Sequence, residues 1–247
     1  SIVWPAGLKS ASTRLCPGRF PAQRRSHEYR QSPECERESP DQLKNADFSR
    51  ICGIKVFMGS STGNMLVDNE EILINLFREI PSIIAVHAES ESIIQANKKK
   101  FIEQTGGVLP VKYHPLIRSE EACYESTARA VELASKYDSR LHVLHLSTAK
   151  ELTLFEKKPL QSKKITSEAC LLHLWFDDQD YAEFGNLIKC NPAVKTSYDK
   201  NSLRSAVSDG LIDVVATDHA PHSLSEKSGD CLTAASGSPS IQFSLTA

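Results

Sequence analysis

Four charged or titratable residues stand inside or at the end of otherwise apolar segments: Lys55 in GIKVFMG, His87 in AVHAES, His145 in RLHVLHLS and Asp218 in DVVATDHAPH. Taken alone, His87 reads either as a structural histidine bonded to backbone or as a metal ligand where a strand meets its loop. His145 follows His142 by three residues, so the two face opposite sides if the strand is regular. His145 lies nearer the strand end and is the better ligand candidate. Asp218 is separated from an apolar run only by Thr217 and is followed by His219 and His222. Burying such a carboxylate unpaired is costly. Pairing, exposure or metal coordination must account for it, and a metal shared with His87 and His145 does so economically. A polar strand-to-helix turn is the other reading.

Lys55 is the unusual member. In mid-strand a lysine is ordinarily an edge-strand solubility device or a snorkelling side chain, and an amine is a poor partner for a divalent cation. Carboxylation by carbon dioxide converts it into an anionic oxygen donor able to bridge two metals. Asn191, in KCNPAVKT, precedes a proline that biases it toward extended backbone. Its amide can donate to and accept from a cyclic imide or amide, or close an Asx turn. His173, in LLHLWF, either supports a ligand or packs against Trp175. The segment MGSSTGNM lacks the lysine or glycine spacing of a phosphate or dinucleotide loop and reads as a flexible loop after Lys55.

These residues need strands to carry them. GIKVFMG is a short apolar run, and Ile72, Leu73, Leu76 and Phe77 follow at helical spacing between Asn69 and Ile80. The unit recurs: SIIAVHAES is a strand, and SIIQANKKKFIEQTG is a helix ended by a glycine pair. Ser119 to Tyr137 is a long helix leading to a strand in RLHVLHLS. Thr148 and Glu151 have the spacing of a capping box for a further helix. A fourth strand is expected in KKITSEACLLHLWF and a fifth in LIDVVATDHAPH, after a short helix from Lys200 to Asp209. Apolar strands alternating with helices mark a parallel sheet covered by helices. Polar residues from four different strands favour a barrel, whose strand ends converge on one mouth, over an open sheet, which gathers side chains from two or three. The expected fold is therefore α/β, an incomplete TIM-type barrel with about five of eight strands recognisable.

The bulk properties narrow the function. Across 247 residues, 29 Lys and Arg against 31 Asp and Glu leave a net charge of -2, which drives no general attraction to nucleic acid or an anionic bilayer. No apolar run approaches the roughly 20 residues needed to span a membrane, and the start is a poor secretory signal. Seven cysteines without regular spacing argue against a disulfide framework. A cytoplasmic protein acting on a small molecule is expected, with a homo-oligomer compatible. Residues 1–45 differ in kind. Rich in Arg, Ser, Pro and Cys and without strand or helix periodicity, they read as a disordered or foreign extension, or an ordinary polar leader, before a domain over 46–247.

In order, the segments GIKVFMGSSTGNM, AVHAES, RLHVLHLSTAKE, ITSEAC through HLWF, NLIKCNPAVKT and DVVATDHAPHSLSEK resemble those of the cyclic amidohydrolases, and specifically the dihydroorotases. The resemblance covers about four fifths of the chain, from Leu43 onward. Dihydropyrimidinases and allantoinases share the barrel and much of the chemistry. The resemblance implies a pair of zinc ions. Lys55 matches the carboxylated bridging lysine, His87 and His145 match two histidines of the second metal, and Asp218 matches the aspartate that contacts the first metal and moves the proton. Asn191 and His222 match residues that contact the substrate. The implied reaction interconverts dihydroorotate and N-carbamoyl-aspartate in pyrimidine biosynthesis. Such families begin their barrel with a strand bearing a His-x-His pair, and none is visible; the only early histidine, His27, has no partner at i+2. Relative to that pattern, Ile51 enters near the fourth strand. The expectation is a partial barrel whose own activity is doubtful, or a non-catalytic homologue serving as an assembly partner.

Overall fold

A computed structural model describes residues 48, 52–59, 67 and 69–244. The extension assigned to 1–45 and most of the MGSSTGNM loop lie outside the described residues. Five apolar segments form β1 (Gly53–Phe57), β2 (Ile83–His87), β3 (Arg140–Val143), β4 (Ile165–Cys170) and β5 (Val214–Ala216). They pair in the order β1-β2-β3-β4-β5, every pair parallel. Parallel crossovers are right-handed almost without exception, so a consecutive order returns every connection over the same face. An open doubly wound sheet needs a point where strand order reverses. The described sheet has none, and its α/β architecture is consistent with part of a (β/α)8 barrel.

Four longer helices form the outer layer: α1 (Glu70–Glu79), α2 (Glu91–Thr105), α3 (Glu120–Tyr137) and α4 (Ser197–Ser208). Each starts or stops on a residue whose chemistry demands it. Asn69 Oδ1 accepts from the amides of Glu71 and Ile72 at 3.0 and 3.1 Å, and α2 ends at Gly106, whose φ of 72° suits a residue without a side chain. Alternation along the strands then sorts the sheet. Val56, Ile84, Val86, Leu141, Val143 and Ala169 enter one core with Leu73, Leu76 and Phe77 of α1, Leu133 of α3 and Leu203 of α4. Strand register puts Lys55, Phe57, Ala85, His87, His142, Thr166, Glu168 and Cys170 on the opposite face. That face carries the polar residues.

Three elements differ from expectation. The Thr148–Glu151 capping pair forms, with Thr148 N and Oγ1 3.1 and 2.9 Å from Glu151 Oε2, but it closes only a single 3-10 turn, Glu151–Leu154. Pro159 stands in the following segment and disfavours helical backbone before it. The segment expected as one strand through HLWF divides into β4 and a short helix, Leu171–Trp175. There Leu172 turns away from the sheet into a separate cluster with Tyr181, Ile188, Cys190 and Val194. The helix expected to begin at Lys200 begins at Ser197, because Thr196 and Asp199 form a capping box. Among the described residues no helix is long and apolar enough to cross a membrane.

Candidate active site

Two predicted site residues lie just beyond strand ends in a backbone conformation that side chains resist. His145 follows β3 with φ 42° and Asp218 follows β5 with φ 44°. The third described non-glycine residue with positive φ, Asp138, merely caps α3. Left-handed backbone at a residue with a side chain costs energy and persists where surrounding structure enforces it. At His145 the effect is geometric: the chain has left the regular strand, so the alternation that placed His142 and His145 on opposite sides fails. His145 turns to the inner face, its Nε2 3.0 Å from Nδ1 of His87. His142 occupies the same face, 2.9 Å from Thr166 Oγ1 and 3.2 Å from Glu168 Oε2.

The two predicted histidines therefore meet, rings 4.8 Å apart and nearly perpendicular. Both are buried. Burial, reinforced by the neighbouring rings of His87 and His173, pushes His145 well below the ordinary histidine range and keeps it a neutral nitrogen donor. His87 Nε2 lies 3.0 Å from Glu89 Oε2, off the hydrogen-bonding direction. Arg118 pairs with the same carboxylate. Burial alone would raise Glu89, but Arg118 and His87 outweigh it and hold the carboxyl well below the usual range.

Lys55 points to the same inner face and is exposed; its ammonium lies 4.7 Å from the centre of the Phe57 ring, whose other neighbour is His87 at 5.8 Å. Asp218 is exposed by surface area, yet its neighbours shield it in part from water. This partial desolvation raises its carboxyl above the usual range, against the opposing charge of Lys55 and with added repulsion from Glu168. Asn191 and His222 belong to a neighbouring group. Asn191 Oδ1 is buried and has no hydrogen-bond partner among the described residues, a free acceptor. His222 Nε2 donates to the Ser236 carbonyl at 3.1 Å. His173 supports Asn191 from behind, its Nε2 donating to the Pro192 carbonyl at 2.9 Å, while Trp175 faces outward at 57% exposure instead of packing on it.

Sequence reasoning missed Glu89, Arg118, His142 and Glu168 as members of the mouth. Glu168 in ITSEAC is, like Lys55, a charge inside an apolar strand. Glu89 stood two residues past His87. Arg118 carried no local signal, because its partner Glu89 stands 29 residues away, on the other side of α2 within the same crossover.

His87 and His145 suit two positions of a zinc shell: both are nitrogen donors, and ligands bound at about 2.0–2.1 Å in a tetrahedron lie roughly 3.3 Å apart. The facing atoms are His145 Nε2 and His87 Nδ1, while His145 Nδ1 is buried with no hydrogen-bond partner among the described residues. The pair does not make a complete site. Among the described residues no group of three or more His, Cys, Asp or Glu side chains is arranged to hold a metal ion.

Comparison with known proteins accords with this geometry. A dihydroorotase of Methanosarcina mazei is 31% identical over 198 residues, 76% of this chain and 42% of the relative. An allantoinase of Bacillus velezensis is 30% identical over 173 residues, 68% of this chain and 38% of the relative. The solved D-hydantoinase from Bacillus sp. AR9 superposes with a TM-score of 0.72 at 25% identity, over 82% of this chain and 46% of that one. The chain matches the cyclic-amidohydrolase superfamily over most of its length. No protein-family model matches it. The chain spans less than half the length of these three amidohydrolases.

Proposed function

We propose that this polypeptide is part of a zinc-dependent hydrolase that opens and closes a cyclic amide. The observation that carries the reading is the buried contact of His87 and His145, two imidazoles from the ends of neighbouring strands, in a chain similar to enzymes named for such rings. His87 and His145 would hold a zinc ion in part, and such an ion would supply an activated water and a polarised carbonyl. The residues of the chain do the rest. Asp218, its carboxyl raised toward the range of a useful proton acceptor, takes a proton and returns it to the leaving ring nitrogen. Asn191 offers its unpartnered Oδ1 to a ring N–H, and His222 binds the far side of the substrate. Lys55, once carboxylated, would add an anionic oxygen ligand from β1.

Sequence similarity to dihydroorotases favours the dihydroorotate and N-carbamoyl-aspartate pair. Structural similarity to a D-hydantoinase favours a second reading, a neutral hydantoin, dihydropyrimidine or allantoin ring. Incubating the chain with zinc and each of these rings separates them, with Asp218→Asn as control. Turnover of one ring, reduced at least about 100-fold in the variant, is the expected result. Tight zinc binding without turnover of any ring would favour a non-catalytic homologue; failure to bind zinc would sink the hydrolase reading.

A further inference from the structure

Lys227 has a role that the proposed chemistry leaves open. Its side chain is buried, and its ammonium donates to three backbone carbonyls, those of Lys189, Ala235 and Gly237, at 3.0, 2.9 and 2.7 Å. Those bonds use all three of its N–H groups. Among the described residues no carboxylate lies within ion-pair distance of it. A buried ammonium without a counter-ion is an expensive way to join loops. Burial pushes it down to about 8.

The three acceptors belong to two separate segments. Lys189 lies two residues before Asn191. Ala235 and Gly237 flank Ser236, whose carbonyl receives the proton of His222 Nε2 at 3.1 Å. The Lys189 carbonyl also accepts from Gly237 N at 2.8 Å, so one oxygen is the junction between the two segments. Gly237 is seated tightly there, with φ 131°, and a Cβ added to it would come within 2.7 Å of Ala220 Cβ and 3.1 Å of His222 Nε2. Across residues 219–240 the described structure has only turns and an isolated bridge between His219 and Ser238. Regular secondary structure therefore does not set the distance between Asn191 and His222.

We infer that Lys227 is a positioning residue whose ammonium sets the spacing between Asn191 and His222, and so the fit of a cyclic amide between them. This rests on the reading that those two residues face the substrate. The test compares the full chain with Lys227→Met, which keeps the bulk and removes the donors, and with Lys227→Gln, which keeps two donors and covers the case of a poorly folding methionine variant. Two readouts are taken. In nuclear magnetic resonance spectra, the Asn191 side-chain amide and His222 ring signals should move together, and exchange of the Gly237 amide should quicken at least tenfold, while amides of β2 stay unchanged. With whichever ring the chain turns over, KM should rise at least tenfold with kcat altered less than threefold, and the glutamine variant should recover part of the loss. Unmoved Asn191 and His222 signals would overturn the inference. So would moved signals with unchanged KM, which would make Lys227 a loop staple only. If no ring is turned over, the hydrolase reading fails separately and the spectra alone decide whether Lys227 sets this spacing.

Discussion

Glu89 is fully buried yet ionised, and two groups share one of its oxygens: Arg118 and His87. In water such contacts contribute little; inside the mouth the carboxylate and guanidinium depend on each other, and removing one charge strands the other. Glu89→Gln keeps the size and removes the charge. It should destabilise the protein by about 3 kcal/mol, read from the urea midpoint. A shift of under about 0.5 kcal/mol, the scale of an ordinary surface substitution, would show that the pair is solvated. His145 is kept neutral by burial, whereas His87 has the Glu89 carboxylate beside its Nε2.

Element ends matter here as much as element interiors. The capping box of α4 is also a brace for the loop that carries His145: Asp199 Oδ2 accepts from Thr196 Oγ1 at 2.6 Å, and Asp199 Oδ1 accepts from the amide of Ala149 at 2.8 Å. Thr196→Ala removes the cap alone and should cost about 1 kcal/mol. Asp199→Ala removes the cap's partner and also strands the Ala149 amide, so a loss of about 2 kcal/mol or more is expected. Equal midpoints for the two variants in urea would mean that the Ala149 bond contributes nothing. Glu151 braces the same loop from the other side, accepting from Thr127 Oγ1 at 2.8 Å and from the amides of Ser147 and Thr148 at 3.3 and 3.1 Å. The left-handed turn at His145 is thus held from α3, from α4 and from within the loop.

On the scale of the whole molecule, buried titratable groups make stability depend on pH in one direction. Burial pushes His114 down to about 3, with Arg118 adding to the effect, and pushes His173 down to about 4 against the bond to Pro192. The unfolded chain protonates these rings near pH 6.5. Unfolding therefore takes up protons between that value and the native ones, and stability falls as the pH is lowered through the window. Each histidine contributes a slope of up to about 1.4 kcal/mol per pH unit. Glu89, depressed in the native state, adds a loss of the same sign below its ordinary range. Urea midpoints at pH 7, 5.5 and 4 should decline steadily; a flat series would mean that these rings are hydrated.

How much of this was legible beforehand differs by residue. Lys55, His87, His145 and Asp218 stood out because each interrupts an apolar run, and burial of a polar group in such a run needs a reason. Periodicity and capping residues marked α1, α2, α3 and all five strands. The side of β3 on which His145 falls was not legible, because alternation holds only while φ and ψ stay extended, and the turn at 145 is imposed by Glu151 and Asp199 from elsewhere in the fold. Arg118 and Glu89 were invisible as a pair because they are 29 residues apart and only the folding of their shared crossover brings them together. By itself the sequence determined the class of fold and the residue types available for chemistry, since burial and periodicity are local properties of the chain. Only the tertiary structure decided which of those residues meet, because contact between strands depends on register, crossover and the turns that leave each strand.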